Sequence, residues 1–251
     1  MESYATAQQV YAAGLVFARV GAMLMLLPGI GESMVPPRMR LSFAFLLTLM
    51  LLPVVGAGVP PLAATVSGVA GVVIKELLIG LMIGAILRLF MSSLAVAGEI
   101  VSLQTTLSFA QTAAPGQAQP STSLATFLGL MGLVLIFATD LHQMFLGAIV
   151  QSYTVFPFHR AIPLADAGQL AVQTVGRSFS LGLQLAAPVV VFSLIFNIAT
   201  GLVGRVMPQF QIFFVSTPLI VLLGLSIFAL SLGGVGMVWI DRYHDLLRLF
   251  G

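Results

Sequence analysis

Long apolar runs constrain this chain more than any motif does. Six such segments can be drawn: Val10–Leu27, Leu41–Val55, Val66–Phe90, Leu124–Val150, Phe179–Val203 and Phe210–Ile240. Only 7% of the residues are charged, against about a quarter in soluble domains. A water-facing surface cannot be built from so few charges, so the chain is an integral membrane protein. Long runs without strand-like alternation predict helices rather than a barrel. A crossing helix needs roughly 17–25 residues. Leu41–Val55 is short on that scale and Val66–Phe90 is long.

The breaks between runs carry information. Pro28, Pro36 and Pro37 frame the first connection, and Pro53, Pro60 and Pro61 frame the second, which is uncharged. Pro188 and Pro218 fall inside apolar segments, where each removes a backbone hydrogen bond. The expected fold class is therefore all-α, with about six apolar segments forming kinked helical hairpins. The 25 glycines suit membrane helices, where small residues let backbones approach, and GLMIG, Gly80 to Gly84, has the spacing of close helix packing. Arginines do not orient the chain: Arg38, Arg40, Arg88 and Arg205 on one side balance Arg160, Arg177, Arg242 and Arg248 on the other. Either partners fix the orientation, or the helices do not cross the bilayer one by one. The first run is read as a retained helix, because no basic stretch precedes it.

Several charges lie where they are expensive. Arg19 sits mid-run in LVFARVGAML, and Lys75 and Glu76 sit in GVVIKELLIG. Each costs about 2.5–3.5 kcal/mol at a helix centre, while a central Leu or Ile returns about 0.3–0.6 kcal/mol. They must be paired or face water. Lys75 and Glu76, as sequence neighbours, point about 100° apart, so at least one needs a partner elsewhere; Arg19 with Glu76 is an admissible pair. Interhelical or intersubunit pairing is favoured over an ion relay, which needs a chain of acids and histidines. Asp140 and His142 in FATDLHQMF form the other polar pair and are read as a local contact. Ser180 with Gln184, and Ser193 with Asn197, each share a helix face.

Much chemistry is excluded. No cysteine is present, and His142, His159 and His244 lack metal spacing. The single lysine, Lys75, sits among aliphatics, so there is no phosphate-binding loop. No nucleophile elbow or carboxylate pair is found. A net charge of +2 gives no basis for nucleic-acid binding. The chain is expected to be no enzyme and to hold no cofactor or metal.

The segment Ser102–Ser123, SLQTTLSFAQTAAPGQAQPSTS, is polar but uncharged, and the charge gap around it runs from Glu99 to Asp140. Irregular backbone survives at membrane depth only when buried in protein or lining an aqueous cavity. An uncharged lining would neither trap nor repel chemically diverse cargo, and Phe109 is a candidate hydrophobic constriction. A plain solvent-exposed loop is the alternative from composition alone.

Four stretches in order, FARVGAMLMLLPGIGESMVPPRMRLSFAFLL, KELLIGLMIGAI, GEIVSLQTTLSFA and FNIATGLVGRVMPQFQIFFVSTPL, resemble the FliR family of flagellar and type III secretion export-apparatus proteins, over almost the whole chain. The resemblance implies a fusion of FliP-like and FliQ-like units, bent hairpins, and one place in a helical assembly with FliP and FliQ, with FlhB and FlhA nearby. It implies a bacterial inner-membrane location in the flagellar basal body, raised toward the periplasm, and charges paired between subunits. Arg19, Lys75, Glu76, Glu99, Asp140 and His142 are the candidate intersubunit or interhelical charges. It also implies a single membrane-embedded domain over 1–251, with a plug over 107–121 in which Leu107, Ser108, Phe109, Ala110, Gln111, Pro115 and Gly116 face the pore. Ala114 stands where the family usually has Asp, and Asp140-Leu141-His142 where it often has Asn-Gly-His.

The leading expectation is a gate subunit passing unfolded flagellar proteins. The alternatives are a small-solute or ion transporter using Arg19, Lys75, Glu76, Asp140 and His142, an injectisome export subunit, and an assembly scaffold.

Overall fold

The computed structural model describes residues 7–32, 34–62, 64–108, 122–160, 164–207 and 211–248. Among them there are only helices and turns: α1 Ala7–Leu26, α2 Pro37–Val55, a 3-10 turn Gly56–Gly58, α3 Val66–Gln104, α4 Ser123–Ala138, α5 Leu141–Val155, α6 Leu164–Val206 and α7 Ile212–Leu247. Five helices are long and apolar enough to cross a membrane, and α4 with α5 makes a sixth candidate as a bent pair. The all-α expectation holds.

Two details differ from the sequence reading. The third segment does not stop near Phe90 but continues as one helix through Arg88 and Glu99 to Gln104. At about 1.5 Å per residue its 39 residues span about 58 Å, roughly twice a hydrocarbon core. The fourth segment is broken in two: Asp140 takes a left-handed conformation, φ 58°, which Asp tolerates better than most residues. Pro188 and Pro218 both lie inside continuous helices.

The chain divides into two compact units. The first comprises Met1–Phe90, Asp140–Val175 and Asp245–Gly251. Its centre is α1, whose buried residues Ala12, Leu15, Val16, Arg19, Val20, Met23 and Leu24 recur at helical spacing. A Cβ at Gly80 would strike the carbonyl oxygen of Arg19, and one at Gly84 would come within 2.9 Å of Leu26 Cβ. The glycine pair therefore brings the backbones of α1 and α3 into direct contact, with the two helices parallel. By contrast α2 buries only Ala44, Thr48 and Leu51. It begins on Pro36-Pro37, where proline replaces a donor the first turn would leave unpaired. Gln8 ties down the uncharged second connection: its Nε2 donates to the Pro60 carbonyl at 3.0 Å, and its Oε1 accepts from the Leu62 N–H at 2.8 Å.

The second unit comprises Met91–Thr139 and Gly176–His244. Here the later part of α3 is the spine. Gly98 lies against the backbone of Ala125 on α4, Gly132 against Leu94, Gly182 on α6 against Val96 and the Ser93 carbonyl, and Gly224 on α7 against Thr105. Without a side chain of their own at these crossings, Gly98 and Gly182 admit neighbouring backbone, and Gly132 and Gly224 admit neighbouring side chains. Trp239, fully buried, donates from Nε1 to Ser93 Oγ at 3.2 Å and stacks on Tyr243. Ser193 Oγ donates to Gln104 Oε1 at 2.6 Å.

Candidate functional site: a buried charge cluster and the feet of the neutral segment

Arg19 and Glu76 are both fully buried in the first unit, and Arg19 Nε lies 2.6 Å from Glu76 Oε2. The rest of the guanidinium is used as well. Nη1 donates to the Ser152 carbonyl and Nη2 to that of Phe156, each at 2.8 Å. Its carbon stands 4.2 Å from the centre of the Tyr153 ring and 5.4 Å from that of Phe158. Lys75 Nζ donates to the Phe158 carbonyl. Tyr153 in turn donates to the Val16 carbonyl at 3.4 Å.

The physical logic is a helix end capped from outside. The last turn of α5 carries no basic residue; its carbonyls hold the negative end of the helix dipole, and that of Ser152 also accepts the Phe156 N–H. Arg19 from α1 adds donors at Ser152 and at the C-cap Phe156, and Lys75 from α3 serves the Phe158 carbonyl in the turn beyond the helix. Glu76 neutralises Arg19, and the two rings cover it with their negative faces. Arginine does not release its proton in proteins, and each charge is held by a defined partner. The cluster fixes three helices to one another. The resemblance implies pairing between subunits; in the structure the partner of Arg19 belongs to the same chain.

Asp140 and His142 stand apart from this cluster in chemistry. Asp140 is largely exposed, with its Oδ1 4.0 Å from His142 Nε2 and 3.1 Å from Gln143 Nε2, which donates to it. Its evident role is conformational, supplying the left-handed residue at the α4–α5 break.

Glu99 has a different task, in the second unit. Its Oε1 accepts the backbone N–H of Thr122 at 2.8 Å. Thr122 is the N-cap of α4, its hydroxyl accepting from the Ala125 N–H at 3.2 Å. Gly98, one residue before Glu99, is what lets α4 begin so close to α3. On the other side, α3 ends at Gln104 and the chain turns through Thr106, φ 58°. Leu107 and Ser108 follow, half-buried. Phe109, Ala110, Gln111, Pro115 and Gly116 lie outside the described residues. Both feet of the neutral segment are thus tied to α3.

Sequence reading did not find Tyr153, Phe158 or the α5 carbonyls. Thr122 had a usable signal, a threonine immediately before an apolar run. No group of His, Asp or Glu among the described residues is arranged to hold a metal.

Helices of membrane length and a buried charge cluster partnered within the fold define a polytopic helical membrane protein. The model of the bacterial export proteins, family 1, matches residues 10–246. The chain is 63% identical over 250 residues to the flagellar biosynthetic protein FliR of Caulobacter vibrioides, covering 100% of both. It is 28% identical to that of Aquifex aeolicus, over 94% of this chain and 91% of the relative, and 29% identical to that of Escherichia coli, over 84% and 80%. The chain belongs to the FliR family of bacterial export proteins, and is a component of the flagellar export apparatus rather than an enzyme.

Proposed function

We propose that the chain serves as a subunit of the inner-membrane flagellar export gate, forming part of the channel for unfolded flagellar proteins. In this reading the full chain acts as one membrane-embedded domain beside FliP, FliQ and FlhB, with FlhA nearby, in the basal body and raised toward the periplasm. The segment 107–121 closes the resting pore. The full-length identity to a flagellar FliR carries the reading. The plug assignment is supported by an uncharged polar composition and by anchorage at both ends: the turn at Thr106 and the Glu99–Thr122 bond. A segment tied at its feet can stay in a channel mouth without carrying charge of its own.

Deletion of Leu107–Ser121 tests it. The deletion is expected to leave assembly with the partner subunits intact while the resting complex conducts ions. Unchanged conductance together with unchanged export would remove the plug. A solute transporter would instead show uptake by the purified chain alone in liposomes. The static pairing of Arg19 and Glu76 argues against that alternative.

A further inference from the structure

Within the second unit, α6 and α7 leave an open groove of about 320 Å³. Leu185, Pro188, Gly234, Val235 and Val238 wall it, and Gln184 is its polar side chain on α6. The directions of its two helices follow from α3. Ser93 meets both Gly182 and Trp239, whereas further along α3 Gln104 meets Ser193 and Thr105 meets Gly224. So α6 runs with α3 and α7 runs against it. Stepping back from Gln184 to Arg177 and forward from Val235 to Arg242 therefore leads to the same end of the groove, about two helical turns away and on the groove-facing sides. Both arginines are exposed, and neither is in an ion pair among the described residues.

We infer that this groove holds a phospholipid, with an acyl chain along its apolar wall and the phosphate between Arg177 and Arg242. The arginines sit where the apolar stretches of α6 and α7 end, the level at which basic residues meet headgroups. Exposed Asp241 and Asp245 flank Arg242 on its helix, so the phosphate is held by the two guanidiniums as donors rather than by net charge. The groove, at about 320 Å³, has room for an alkyl chain. This site does not depend on the plug or on the export reading.

The test uses membranes containing the full chain with its partner subunits and a phospholipid bearing a photoreactive acyl chain. Labelling is expected on the peptides around Pro188 and Val235. The double substitution Arg177→Ala/Arg242→Ala should lower it about tenfold or more. Gly234→Leu should abolish it by filling the groove; a Cβ there meets nothing within 4 Å, so the variant is expected to assemble normally. A photoreactive diacylglycerol, lacking the phosphate, should label weakly. Equal labelling by diacylglycerol, or labelling unchanged in both variants, would overturn the site. So would efficient cross-linking of Gly234→Cys to a partner subunit.

Discussion

The Arg19 guanidinium and the Glu76 carboxylate meet at 2.6 Å with no solvent exposure on either side chain. Removing one partner strands the other charge away from water, which costs about 3–5 kcal/mol. Glu76→Gln should therefore lower thermal stability in detergent sharply. Arg19→Met should do worse, since it also frees the carbonyls of Ser152 and Phe156. The double variant should lose less than the sum of the singles. Additive losses would mean that the two side chains do not interact as described.

The glycines divide into two groups. Gly80→Ala and Gly98→Ala place a methyl against backbone atoms of Arg19 and Ala125, and overpacking of this kind costs about 1–3 kcal/mol. Gly14→Ala and Gly71→Ala meet nothing within 4 Å and should hold or raise the melting temperature, since Ala is the better helix former by about 0.5–1 kcal/mol. A comparison of the four single variants checks the parallel contact of α1 with α3 and the α3–α4 crossing.

At the foot of the neutral segment, Glu99→Ala removes a charge-assisted hydrogen bond worth about 1.5–3 kcal/mol, whereas Glu99→Gln keeps an acceptor oxygen. Amide hydrogen exchange at Thr122 should speed up in the first and much less in the second. If the two variants exchange alike, the Glu99 carboxylate does not hold Thr122. Thr122→Ala should cost a further ~1 kcal/mol through loss of the N-cap.

Trp239→Phe leaves the hydroxyl of fully buried Ser93 without the indole that donates to it. Stability should fall by about 1–3 kcal/mol, and adding Ser93→Ala should recover part of the loss. Denaturation monitored by circular dichroism reads both.

The class of fold was legible because apolar runs of membrane length admit few alternatives. The admissible pair Arg19–Glu76 was legible because a central charge must find an opposite one. What stayed hidden was set by groups that carry no sequence signal at a distance. The carbonyls of Ser152 and Phe156 are backbone atoms, and any residue could have supplied them. Tyr153 and Phe158 read as ordinary apolar residues until the fold brings a guanidinium against them. Helix length failed at α3 because Arg88, taken as an end, is an exposed residue on a helix that simply continues. The break at Asp140 was equally silent, since a left-handed residue is a conformational choice and the runs on both sides are apolar.

The remoteness of Glu76 from Arg19 along the chain has a consequence for biogenesis. The first hydrophobic helix leaves the ribosome carrying a positive charge whose counterion is encoded 57 residues later. At roughly 5–20 residues per second, synthesis needs several seconds to deliver it. Until then that helix is a poor candidate for release into lipid. Entry of the first helix together with the third, rather than in the order in which they are made, would bring Arg19 into the bilayer with its counterion already in place.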